Sequence, residues 1–195
     1  DNDIIFSFEE DQVLMKDEHQ FYRYHEISKK SSCYYLFLID NLKFFLTDLT
    51  SLNHIKVSFR AMRTFENRML GFAAITAWQL YRWIQDNKYC GKCGHPMGFD
   101  QKERAMRCPH CSNIVYPKIS PAVIVGITND KGQILVTKYA HGHYQSYALV
   151  AGFCEIGETI EETVKREVKE ETGLDITDIQ YYKSQPWSFS STLLL

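Results

Sequence analysis

Along the 195 residues the hydrophobic positions change period several times. Tyr34–Ile39 and Leu42–Leu46 are apolar, aromatic-rich runs separated by Asp40-Asn41. Asp and Asn tolerate the left-handed backbone of a tight turn, so this stretch predicts a β-hairpin. From Thr64 to about Asp86 the period lengthens. Leu70, Ala73, Ala77, Leu80, Tyr81 and Ile84 fall on one face of a helix, with Thr64 able to cap its start and Asp86-Asn87 breaking it. Trp78, Tyr81 and Trp83 on this helix read as core. Beyond Pro117 and Pro121 the texture changes again. Ala122–Ile127 is a continuous, β-branched run, as in a buried strand. Asn129-Asp130-Lys131-Gly132 predicts a turn, and Gln133–Thr137, Ser146–Val150 and Ile179–Ser184 predict further strands. Glu158–Thr172 predicts a helix stopped by Gly173, with Ile160, Val164 and Val168 as its buried stripe.

Composition narrows the class. Apolar residues make up 45%, aromatics 14% and charged residues 24%, a balance that builds a packed core and excludes a disordered chain. A net charge of −2 excludes a global basic field for gripping nucleic acid. No apolar run approaches the ~20 residues that span a bilayer, and no secretory signal opens the chain, so no membrane association is expected.

Four of the six cysteines, Cys90, Cys93, Cys108 and Cys111, are spaced C-x2-C-x14-C-x2-C, while Cys33 and Cys154 stand alone. Each CxxC can point two sulfurs at one ion, and four thiolates satisfy tetrahedral Zn²⁺. Such a site has no open position for water, so the zinc is expected to be structural. The pattern also favours a reducing, cytoplasmic compartment over a disulfide framework. Lys92, Lys102, Arg104 and Arg107 would help a ribbon of this kind bind nucleic acid. The simpler expectation is a clip with a solvated basic rim.

The segment after Ala151 carries a second chemistry. Glu167, Glu170 and Glu171 stand at i, i+3 and i+4, so they share one helix face and repel one another by a few tenths of a kcal/mol per pair. A divalent cation turns that repulsion into coordination, and hard carboxylate oxygens suit Mg²⁺ or Mn²⁺. Taken alone, such a triplet is as readily a solvated helix face.

The whole array, Gly152, five residues, Glu158, seven residues, Arg166-Glu167-Val168, any residue, Glu170-Glu171, any residue, Gly173-Leu174, matches the Nudix box G-x5-E-x7-R-E-U-x-E-E-x-G-U at every position. Its fixed residues would coincide by chance about once in 10⁸ windows. The chain therefore resembles the Nudix hydrolases. Within them it resembles the zinc-ribbon-containing NADH pyrophosphatases, because an N-terminal domain, a four-cysteine ribbon and the Nudix box occur in that order. Ser184-Gln185-Pro186-Trp187-Ser188-Phe189-Ser190 is similar to that family's SQPWPFPxS array, with Ser188 and Ser190 in place of prolines and Thr192 in place of the last serine.

The resemblance implies an α+β multi-domain chain. Its parts are an N-terminal α/β domain (1–88), a zinc ribbon (89–117) and a Nudix α/β/α sandwich with a mixed sheet (118–195). The 78 residues of the last segment fall short of the family's full domain, so its C-terminal part is expected to be missing. The implied reaction is metal-dependent hydrolysis of the NADH or NAD⁺ pyrophosphate to nicotinamide mononucleotide and AMP. Alternatives are removal of NAD caps from RNA 5′ ends, another nucleoside diphosphate derivative such as ADP-ribose, or a non-catalytic zinc-ribbon binding module. Implied metal contacts are the Ala151 carbonyl, Glu167, Glu170 and Glu171, with Glu158 and Arg166 bracing them. Implied substrate contacts are Glu103, Tyr116, Phe153, Ser184, Gln185, Pro186, Trp187, Ser188, Phe189, Ser190 and Ser191. A homodimer is implied as well.

Overall fold

The computed structural model describes residues 2–27, 33–49, 51–138 and 146–195. They group into two compact units, Asp1–Lys118 and Ile119–Leu195.

In the first unit the short strands β1 (Ile4–Phe6), β2 (Phe8–Glu9), β3 (Gln12–Met15) and β4 (Tyr22–Arg23) precede the hairpin of β5 (Tyr34–Ile39) and β6 (Leu42–Leu46). Asp40 takes φ 51° at the turn, the left-handed conformation that Asp tolerates. One sheet runs β4-β1-β6-β5, with β1 and β6 parallel. A second joins β2, β3 and β7 (Ile55–Ser58). Ile4, Ile5, Phe6, Leu14, Met15, Leu36 and Phe44 fill the space these strands enclose.

Helix α1 spans Arg68–Asp86, four residues later than the sequence pattern placed its start. Thr64 ends a 3-10 turn, Phe59–Thr64, where its hydroxyl donates to the Ala61 carbonyl. Asn67 caps the helix instead, its side chain accepting from the Leu70 N–H at 3.1 Å. Ala73, Ala77, Trp78, Leu80 and Trp83 are buried on its inner face, and Trp78 stacks on Phe59 with centroids 3.8 Å apart. No helix among the described residues is long and apolar enough to cross a membrane.

The cysteine segment lies in the same unit. It is built on three two-residue strands, β8 (Gly98–Phe99), β9 (Met106–Arg107) and β10 (Ile114–Val115). All are antiparallel, in the order β10-β9-β8.

The second unit is a mixed sheet with a helix on one face. Its strands are β11 (Ser120–Val125), β12 (Val150–Phe153), β13 (Gln185–Trp187) and β14 (Thr192–Leu194), ordered β12-β11-β14-β13. β11 and β14 are parallel and the other pairs antiparallel. Helix α2 covers Ile160–Thr172. Thr159 and Glu162 close a reciprocal capping box on its first turn, at 3.2 and 2.8 Å, and Gly173 ends it at φ 74°. Val164 and Val168 pack on Val123 and Val150 as the stripe predicts, with Ile160 partly buried beside them.

Three strand expectations need correction. Gln133–Thr137 forms only isolated bridges, Ile134 with Thr128 and Thr137 with Ala148. The strand expected at Ser146–Val150 begins at Val150 instead and runs to Phe153. Ile179–Ser184 is not a strand. Ile179 packs against the valine core, while pairing starts one residue past Ser184. An apolar pattern marks what is buried, but a strand also needs a neighbour for its N–H and C=O groups.

Candidate functional site: a glutamate helix and a four-thiolate ribbon

Within the second unit, β12 and α2 meet through backbone and carboxylate. A Cβ built on Gly152 would lie 1.8 Å from Cδ of Glu167, so only glycine leaves room for that carboxylate. Glu167 is 13% exposed in its side chain, sunk against the strand, whereas Glu170 is 59% exposed. Arg166 ties the cluster together. Its Nε donates to Glu158 Oε1 at 2.6 Å and its Nη2 to Glu158 Oε2 at 2.9 Å. The same Nη2 reaches the Phe153 carbonyl at 2.9 Å, and Nη1 reaches Glu167 at 2.7 Å and Glu170 at 3.1 Å. Glu158 also accepts the Glu155 N–H and the Thr163 hydroxyl, both at 3.0 Å, which pins the loop before the helix.

The structure thus brings Glu158, Arg166, Glu167 and Glu170 into one network. Glu171 is exposed and forms no ion pair among the described residues. The three ridge carboxylates are not gathered to mutual ligand distance, because Arg166 stands as counter-charge between two of them. Ala151 lies on β12 opposite Ile124, one residue from the Gly152 contact.

The guanidinium of Arg166, with the Glu155 N–H, holds the Glu158 carboxyl down to about 2. A free glutamate titrates near about 4.3. The folded value is the lower one, so this brace contributes stability above about pH 4.3 and loses it as the pH falls towards 2. The thermal midpoint of the chain should therefore drop across that window, and the gap to Glu158→Gln should close. A gap that stays constant to the acid end would refute the brace.

The SQPW-like stretch follows. Gln185, Pro186 and Trp187 pair with Leu194, Leu193 and Thr192. Ser188–Ser190 forms a 3-10 turn, and Ser191 is left-handed at φ 53°. The two serines standing for prolines serve the turn: Ser188 is buried, and Ser190 Oγ lies 2.7 Å from Thr192 Oγ1. Trp187 and Phe189 pack with centroids 5.2 Å apart, and Ser184, Gln185 and Phe153 are exposed.

In the first unit, the sulfurs of Cys90, Cys93, Cys108 and Cys111 lie within 4.8 Å of one another, a four-thiolate set of the size zinc takes. Two matching knuckles aim them. Gly94 (φ 76°) and Ser112 (φ 60°) donate to the Cys90 and Cys108 carbonyls at 2.8 and 3.0 Å. All six cysteines are free of disulfides. In the same ribbon the Tyr116 hydroxyl donates to Glu103 at 2.5 Å, which raises the pKa of the tyrosine.

Sequence reasoning missed one organising residue. Asp100 accepts the Lys102 and Glu103 N–H groups and the Arg107 guanidinium, and these hold its carboxyl down to about 2. The Asp two residues before a polar turn was the available signal. Of the four rim cations, Arg107 is bound to Asp100 and Arg104 to the Leu36 carbonyl.

Residues 118–193 match the NUDIX domain, and residues 85–116 match the NADH pyrophosphatase zinc ribbon domain. Over these residues the chain is similar to the Nudix family and to its zinc-ribbon-containing members. It is 41% identical over 116 residues to the NAD-capped RNA hydrolase NudC of Klebsiella pneumoniae (strain 342), covering 60% of this chain and 45% of that protein. It is 39% identical over 122 residues to the protein of the same name from Vibrio atlanticus (strain LGP32), covering 63% of this chain and 45% of that one. The chain therefore spans about half the length of the curated relatives it matches. The crystal structure of a NUDIX hydrolase from Nitrosomonas europaea is similar at a TM-score of 0.46 and 24% identity, over 55% of this chain and 63% of that one.

Proposed function

We propose that this Nudix chain hydrolyses the pyrophosphate of NADH or NAD⁺, releasing nicotinamide mononucleotide and AMP. The observation that carries the reading is the Glu167 carboxylate seated against Gly152 on a ridge it shares with Glu170 and Glu171. The donor set fits Mg²⁺ or Mn²⁺: carboxylate oxygens are hard ligands, and Glu167 is already directed at the strand that carries the Ala151 carbonyl. A divalent ion held there supplies charge neutralisation at the pyrophosphate and acidifies a water.

The chain's own residues do the rest. Arg166 and Glu158 fix the loop, and Arg166 holds the Glu167 and Glu170 carboxylates by hydrogen bonds. A ridge carboxylate accepts the proton of the attacking water. Gln185, Trp187 and Phe189 offer an amide and two aromatic faces to a base or nicotinamide ring.

Glu171→Gln is expected to abolish hydrolysis of reduced NAD while leaving the zinc content unchanged. Persistent hydrolysis would overturn the ridge assignment. Removal of NAD caps from RNA is the second reading, favoured by the names of the relatives at 41% and 39% identity. Product analysis with reduced NAD, ADP-ribose and capped RNA side by side separates the substrates. Cleavage of ADP-ribose as fast as the others would argue against a role for the SQPW-like stretch. A homodimer in a reducing, cytoplasmic compartment completes the reading, and sedimentation velocity tests the assembly.

A further inference from the structure

We infer that the turn of the zinc ribbon carries a subsite for the RNA chain of a capped transcript, formed by Phe99, Gln101, Lys102 and Arg107. This rests on the capped-RNA reading above and assigns residues that the reading does not use. These side chains, with Asp100, line a cleft of about 350 Å³, room for one nucleotide. Phe99 is 39% exposed, and its ring stacks on Tyr34 with centroids 4.0 Å apart and planes 14° from parallel. The ring is therefore fixed in place before a ligand arrives, as a stacking platform requires.

The one carboxylate in the lining does not oppose an anion. Asp100 is 8% exposed in its side chain, and its oxygens are taken by the Lys102 and Glu103 N–H groups at 2.9 and 3.1 Å and by Arg107 Nε at 2.5 Å. Arg107 uses only Nε in that bond, and among the described residues its Nη groups have no partner. The Lys102 ammonium has no ion pair among the described residues either. An aromatic ring, an amide and two cations with free donors suit a base and a phosphodiester. A free dinucleotide carries no phosphodiester beyond its own pyrophosphate, so this cleft distinguishes RNA-linked substrate from unlinked substrate. Glu103, the residue next to Lys102, places the cleft beside the Glu103–Tyr116 pair.

The test uses the zinc-loaded full chain, with binding of a labelled, NAD-capped single-stranded RNA followed by anisotropy in buffer without Mg²⁺ or Mn²⁺. Lys102→Gln should weaken binding and flatten the plot of log affinity against log salt by about 0.7, the share of one phosphate contact on a single strand. Lys102→Arg should restore the slope. Cleavage of free reduced NAD should be the same in all three proteins, with thermal midpoint and zinc content unchanged. An unaltered affinity and slope in Lys102→Gln would overturn the subsite. So would polyglutamate competing as well as RNA, which would mark an acidic-peptide site. If no substrate is cleaved while the binding results stand, the hydrolase reading fails and the subsite survives.

Discussion

Replacing Gly152 by alanine should cost hydrolysis roughly 100-fold or more, the scale of loss that follows from misplacing a reacting group by about 1 Å. The added methyl would sit 1.8 Å from Glu167 Cδ and 2.0 and 2.2 Å from its two oxygens. The partner that yields is the end of the Glu167 side chain, not the strand. Gly152 is held in β12 opposite Val123, and Glu167 belongs to a helix anchored by the buried Val164 and Val168 and tied by Arg166. The carboxylate must therefore swing away from the strand, which removes it from the proposed metal position. Manganese binding followed by electron paramagnetic resonance should weaken together with turnover, while zinc content stays the same. An alanine variant with ordinary turnover and manganese affinity would show that Glu167 does not need its place against the strand.

The second large effect is expected on removing zinc. The ribbon has three strands of two residues each, and its buried apolar positions are few: Cys90, Ala105, Met106 and Cys108. A segment that small cannot offset its conformational entropy by burial alone. A structural zinc contributes on the order of 10–16 kcal/mol in isolated fingers, comparable to the whole stability of a domain. A strong chelator, or Cys108→Ser, should release one zinc per chain and open the stretch between Lys88 and Pro117 to trypsin at Lys92, Lys102, Arg104 and Arg107. The valine core around α2 belongs to the other compact unit and should stay protected. Continued protease resistance of the metal-stripped ribbon would show that the hairpin holds itself.

Much of this architecture was legible before any coordinates. The Asp40-Asn41 turn, the four-residue repeat of Ile160, Val164 and Val168, and the stop at Gly173 depend on local rules of backbone sterics and side-chain period. The structure follows them. Local capping preference pointed to Thr64, but a 3-10 turn engages the Thr64 hydroxyl and Asn67 caps the helix instead. Ile179 is apolar and partly buried, yet it lies outside any strand, since burial comes from the helix-side core and pairing from a neighbour that sequence does not name.

The site divides in the same way. Sequence by itself determined which atoms are available, namely four thiolates at ribbon spacing and a Glu ridge on one helical face, since spacing along a regular backbone sets direction. Tertiary structure alone decided how those atoms are held. Arg166 stands between Glu167 and Glu170, Glu167 lies in the space left by Gly152, and Asp100 pairs with Arg107 while Lys102 has no ion pair among the described residues. These contacts join residues whose distance in space is set by chain packing, and charge balance at close range depends on that distance.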